Sequence, residues 1–157
     1  MNHILIVGPQ WAGKAETIKE VCRRLKPATV RKIFVPDCGP IAFKTLESDS
    51  GISHGNYIVT VRNKNILIVS GSPTEQRVSI TKIVDAVCKL NLKPDLAIVA
   101  ARKYERLQNF STPRELEKFG RCIHESKIWR IPSIKYHLTE EWNKRVSYLT
   151  AITLHNI

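Results

Sequence analysis

The spacing of apolar positions changes several times along the chain, and each change marks an element. His3 to Val7 is a short apolar run of the length of a fully buried strand. Ile18, Val21, Cys22 and Leu25 then recur at helical spacing, predicting an amphipathic helix that Lys26-Pro27 stops. Lys32 to Val35 reads as a short extended piece, Asp37-Cys38-Gly39-Pro40 as a turn, and Ile41 to Leu46 as one or two helical turns. Glu47 to Gly55 is polar and glycine-punctuated, the pattern of a mobile loop. Tyr57 to Val61 and Ile66 to Val69 are β-rich runs joined by Arg62-Asn63-Lys64-Asn65. That link is too short for a helical crossover, so the two strands should form an antiparallel hairpin.

Ser72-Pro73-Thr74-Glu75 has the form of a capping box with proline at the first helical position. The helix it opens carries Ile80, Ile83, Val84, Val87 and Leu90 on one stripe. Leu96 to Ala101 is nearly continuous in apolar residues, as a central parallel strand is. Thr112-Pro113-Arg114-Glu115 repeats the capping pattern and opens a helix expected to run to about Glu125. Lys127 to Pro132, with Ile128, Trp129 and Ile131, reads as a last short strand. Thr139 caps a C-terminal helix with Glu140 and Glu141 in its first turn and Trp142, Val146, Leu149 and Thr153 facing inward.

These elements predict a single α/β domain over residues 1–157, a three-layer αβα sandwich. Its sheet should have five or six mainly parallel strands, one of them antiparallel in the hairpin, in an order the sequence leaves open. At 157 residues and 43% apolar content the chain can bury a real core. It contains no 18-residue apolar run, so no membrane span is expected. The chain enters its first strand without a basic leader, which predicts a cytoplasmic protein. Cys22, Cys38, Cys88 and Cys122 are far apart and lack metal spacing, the pattern of reduced, buried thiols. A formal charge of +11 favours polyanions, so nucleic acid or an acidic protein is a candidate partner. The basic residues are scattered, however, and a soluble basic surface accounts for them equally well.

The chemistry lies in the bend between the first strand and the first helix. Gly8-Pro9-Gln10-Trp11-Ala12-Gly13-Lys14-Ala15-Glu16 fits G-x-x-x-x-G-K. In such a loop backbone N–H groups wrap phosphate oxygens, the lysine brings a charge to the outer phosphates, and the helix start adds its partial positive charge. The bracketing glycines are expected to supply positive φ and to keep a Cβ away from the ligand. Gly8 to Glu16 are therefore the candidate nucleotide-binding residues, with Lys14 the candidate catalytic group. The plainer alternative is an ordinary strand-to-helix turn with a solvated lysine. The eighth motif position, normally a Ser or Thr hydroxyl on Mg²⁺, is Ala15, and Thr17 lies about 200° further round the helix.

Strand, phosphate loop, helix, long loop, antiparallel hairpin and helix is an order in which the chain resembles the Ras-like small GTPases, within the P-loop NTPases. Gly8, Gly13 and Lys14 match that family's loop. The resemblance implies bound GTP or GDP, or ATP or ADP if the base differs, with Mg²⁺ as companion. It also implies an aspartate at the end of Ile66-Leu67-Ile68-Val69 and a glycine N–H shortly after. The chain has Ser70 at the first position and Pro73, which has no N–H, at the second. Glu75 or Gln76 would then be left to orient a water. No Asn-Lys-x-Asp guanine signature occurs, so the base stays open.

Three functions compete on these residues. The first is a nucleotide-binding protein with weak or absent hydrolysis. The second is a small-substrate kinase or ATPase in which Asp37, Asp95 or Glu75 supplies the missing metal ligand or base. The third is a non-enzymatic interaction module with a basic surface. The Arg102-Lys103-Tyr104-Glu105-Arg106 loop should face the ligand crevice, where its cations can meet phosphate and Tyr104 a base; solvated loop charges are the simpler reading. His54, His124 and His137 have no partners at metal spacing and read as structural or solvated.

Overall fold

The structure, a computed structural model, describes residues 1–157. Seven strands form one mixed sheet: β1 (Asn2–Gly8), β2 (Thr29–Phe34), β3 (Ala42–Leu46), β4 (Asn56–Val61), β5 (Lys64–Val69), β6 (Leu96–Arg102) and β7 (Cys122–Lys127). Their order across the sheet is β3-β2-β4-β5-β6-β1-β7. Five helices accompany them: α1 (Lys14–Leu25), α2 (Pro73–Gln76), α3 (Ile80–Lys89), α4 (Thr112–Glu117) and α5 (Glu140–His155). None is long and apolar enough to cross a membrane.

Each face of the sheet has its own core. Ile18, Val21 and Leu25 of α1 and Trp142, Val146 and Leu149 of α5 pack with Ile4, Ile6, Ile66, Ile68 and Ile98 on one face. On the other, Ile80, Ile83, Val84 and Val87 of α3 and Leu116 of α4 meet Leu5, Leu67, Ala97 and Val99. Burying both faces is why β5, β6 and β1 read as continuous apolar runs.

The sheet is more antiparallel than expected. β5, β6, β1 and β7 are mutually parallel, whereas β3 pairs antiparallel with β2, β2 with β4, and β4 with β5. Two strands, β3 and β4, therefore run against the rest, where one was expected. The predicted hairpin forms across β4 and β5, closed by Arg62 and Asn63 at φ 50° and 62°. Positive φ at both central residues suits the twist of a two-residue hairpin.

Five expectations are corrected. Ile41 to Leu46 does not form helical turns but contributes β3, since a six-residue segment nucleates a helix poorly and β2 offered an open edge. The helix expected from Ser72 breaks after Gln76, where Arg77 adopts φ 54°, and Ser79 caps α3 by accepting the Lys82 N–H. α4 ends at Glu117 rather than near Glu125, and the last strand is Cys122–Lys127, not Lys127 to Pro132. Gly120 fits between them because a Cβ there would lie 2.1 Å from the Met1 carbonyl oxygen. β7 pairs only with β1 at the sheet edge, so its sequence is polar; Ile128 and Ile131 instead plug the core from the segment beyond. Only Cys22 is buried; Cys38, Cys88 and Cys122 are exposed free thiols.

The parallel strands all deliver their connections to one edge of the sheet. Gly8 at the end of β1 is registered with Arg102 at the end of β6, Val7 with Lys127 of β7, and Val69 of β5 with Val99. The bend after β1, the turn into α2, Arg102 and the segment after Lys127 therefore converge, and β1, flanked by β6 and β7, sits at the centre of that convergence. Crevices outside the carboxyl ends of parallel strands are where ligands enter sheets of this kind.

Candidate functional site

The two glycines of the bend serve different ends. Gly13 is the N-cap of α1 at φ 84°, and a Cβ there would meet nothing closer than the Arg145 Nη1 at 3.9 Å. Gly8 does not have positive φ, which corrects one expectation; a Cβ there would sit 2.7 Å from the Ile128 carbonyl oxygen and 3.0 Å from the Ala12 Cβ. It is the close approach of the segment after β7, not ligand room, that excludes a side chain at Gly8. The second left-handed residue of the bend is Trp11, at φ 66°.

Within the bend, the Ala12 N–H donates to the Pro9 carbonyl at 3.3 Å, while the N–H groups of Gln10, Trp11 and Gly13 have no protein acceptor. The first N–H groups of α1 add further free donors, as every helix start does. Lys14 is only 5% exposed. Its Nζ donates to the Gly8 carbonyl at 3.0 Å and to that of Pro9 at 2.8 Å, and lies 3.9 Å from Glu75 Oε1. The ammonium is thus folded back on the loop rather than solvated. Burial lowers the Lys14 pKa, Glu75 opposes the shift and Arg102 adds to it. Thr17 cannot supply the hydroxyl Ala15 lacks, because its Oγ1, fully buried, donates to the Gly13 carbonyl at 2.7 Å.

A cavity of about 670 Å³ opens beside the bend, lined by the whole stretch from Gln10 to Glu16. Gly8 and Pro9 are not on its wall and enter through the carbonyls that hold Lys14. Glu75 reaches the cavity from α2. The capping box at Ser72 forms in full: the Ser72 hydroxyl accepts the Glu75 N–H and Glu75 Oε2 accepts the Ser72 N–H at 3.2 Å. Its Oε1 also accepts from Arg102 Nε at 3.3 Å. Burial alone would raise the Glu75 pKa, but Lys14, the Ser72 backbone and hydroxyl, and Arg102 together hold it below the usual carboxylate range.

The other candidates divide clearly. Gln76 is spent, exchanging amide bonds with Asn56 at 2.9 and 3.0 Å and donating to the Gly71 carbonyl at 2.5 Å. Asp95 lies at the opposite end of the sheet, accepting from the Asn65 N–H at 2.9 Å. Asp37 does not line the cavity, nor do Lys103, Tyr104 and Arg106. Glu105 accepts from the Thr112 N–H and hydroxyl, so the second capping box, expected at Thr112 and Glu115, does not form; Glu115 instead accepts from Thr81. His54 lines the cavity rim, whereas His124 stacks edge-on against Tyr148 and His137 against Tyr136.

The donors do not suit a Mg²⁺ ion. Ala15 has no hydroxyl, and the Ser70 hydroxyl donates to the Ser53 and Gly55 carbonyls, holding the entry to β4. No three His, Cys, Asp or Glu side chains gather as a metal centre.

Sequence reasoning missed the far wall. Arg130, Ser133, Ile134 and Tyr136 follow β7, and Trp142 and Arg145 project from α5. Arg145 is 8% exposed, donates to the Trp129 carbonyl at 2.9 Å, and sits with its guanidinium carbon 5.9 Å from the Trp142 ring centre. Burial lowers its pKa, with Glu141 opposing. The signal was present in the helix pattern: an arginine between Trp142 and Val146 on the inward stripe is out of place unless something there needs a charge. With this geometry in view, the chain matches no protein-family model, no curated protein and no solved structure.

Proposed function

We propose that the chain binds the phosphates of a nucleoside di- or triphosphate in the bend from Gly8 to Glu16, with hydrolysis weak or absent. The observation that carries this reading is the bend itself: backbone donors at Gln10, Trp11 and Gly13 without protein acceptors, beside a buried ammonium and a cavity large enough for a nucleotide. Lys14 at present satisfies two loop carbonyls, contacts that a phosphate oxygen within reach would replace with a stronger, charge-assisted one. The weakness of hydrolysis follows from the side chains that would aid it. Gln76 is held by Asn56 and Gly71, Ser70 by two carbonyls, and Glu75 by the Ser72 N–H of its capping box, so none is free to orient an attacking water.

Calorimetric titration with GDP, GTP, ADP and ATP tests the reading. Saturable binding of at least one, weakened in Lys14→Met, is the expected result; no heat with any of the four removes it.

A further inference from the structure

Four segments bring a cation to the same cavity: Lys14 from the start of α1, Arg102 from the end of β6, Arg130 from the segment after β7, and Arg145 from α5. Two carboxylates, Glu16 and Glu75, line that space as well. Glu75 already serves Lys14 and Arg102, at 3.9 and 3.3 Å. Arg145 is the less expected charge, being nearly buried with its closest carboxylate, the exposed Glu141, 3.9 Å away. A guanidinium on a cavity wall with no carboxylate nearer than that is placed to take an anion. Its Nη1 lies 3.9 Å from the place a Cβ on Gly13 would occupy, which sets it beside the bend.

Charge on a polyphosphate is commonly neutralised by a divalent cation, but here the hydroxyl position is Ala15, the Ser70 hydroxyl is taken by two carbonyls, and Glu75 already serves two cations, while arginines are plentiful. We infer that the site takes a metal-free polyphosphate tail, neutralised by Lys14, Arg102, Arg130 and Arg145, and that Glu75 is the internal anion this tail displaces. The inference rests on the phosphate-binding reading above and specifies the ionic form of its ligand. Arginine forks match pairs of phosphate oxygens. Mg²⁺ would compete for those same oxygens and reduce the charge the arginines attract, so it should oppose binding.

The test is calorimetry on the full chain with inorganic tripolyphosphate, GDP and ADP, each in EDTA and in excess MgCl₂. Binding is expected in EDTA and should weaken when Mg²⁺ is added. Arg145→Ala should lose roughly tenfold in EDTA, the worth of one charge-assisted contact. Because that arginine also holds the Trp129 carbonyl, Arg130→Ala provides a second, exposed probe and should weaken binding in the same direction. Glu75→Gln keeps a side chain able to complete the capping box while removing the competing charge, and should tighten tripolyphosphate binding in EDTA. Binding that requires Mg²⁺, or a Glu75→Gln variant that binds no tighter than wild type, overturns the inference and leaves the phosphate-loop reading standing. No binding under either condition overturns both.

Discussion

The two glycines that bracket the bend should fail in different ways when given a side chain. Gly8→Ala places a Cβ 2.7 Å from the Ile128 carbonyl oxygen and 3.0 Å from the Ala12 Cβ, at a φ that alanine tolerates. Its penalty is steric, and pushing β1 away from the segment after β7 should cost about 1–3 kcal/mol. Gly13→Ala meets open space but must hold φ 84°, which costs an L-residue about 1–2 kcal/mol whatever the room. For a chain of this size 1 kcal/mol moves the melting temperature by about 2–4 °C. Both variants should therefore melt several degrees below wild type, and thermal stability alone does not separate them. Ligand affinity does. The alanine methyl at Gly13 projects into the gap before Arg145, where the phosphate is proposed to lie, whereas the methyl at Gly8 meets Ile128 and the Ala12 Cβ rather than open space. Calorimetry at a temperature where both variants are folded should show Gly13→Ala losing tripolyphosphate affinity about tenfold or more and Gly8→Ala losing distinctly less. Equal losses in both, or an unaffected Gly13→Ala, would refute the assignment of different roles to the two positions.

Other consequences follow from single groups. Lys14→Met should lower nucleotide affinity about 10–100-fold, the worth of a charge-assisted contact of roughly 1.5–3 kcal/mol, while circular dichroism shows an unchanged fold. Ser72→Ala removes one half of the capping box on α2 and should destabilise the protein by about 1 kcal/mol in urea titrations. His3 is fully buried with neither ring nitrogen hydrogen-bonded, and its pKa is lowered below 6.5 by burial, with Glu117 opposing and the N-terminal ammonium assisting. The folded state therefore resists a proton that the unfolded chain accepts, and stability should fall as pH drops below 6.5 towards the lowered folded value. Urea midpoints at pH 7.5 and 5.5 should differ more for wild type than for His3→Leu; equal differences would show that His3 contributes nothing in that window.

What could be read from the sequence was local. The β1 run, the hairpin at Arg62 and Asn63, the Ser72 capping box and the inward stripes of α1, α3 and α5 each depend on residues a few positions apart. What could not be read depended on partners distant in the chain. β3 forms because β2 leaves an edge, which no property of Ala42 to Leu46 announces. β7 reads as polar because only one of its edges is paired, so the more apolar Ile128 to Ile131 drew the strand assignment. The site divides in the same way. Gln10 to Glu16 was legible as a motif, while Arg130 and Arg145 reach the cavity only because β7 lies beside β1 and α5 packs on α1. Glu75 was visible both as a cap and as a candidate metal ligand or base, and the fold uses it as a cap that also holds two cations.

The backbone donors of the bend can themselves be observed. In an amide nitrogen–proton correlation spectrum of the labelled protein titrated with tripolyphosphate, the Trp11, Gly13 and Lys14 N–H resonances should move downfield together and saturate, with distant amides such as Leu90 unmoved. Resonances of the bend that stay in place while the ligand is shown to bind elsewhere, or that do not respond at saturating concentration, would contradict the account.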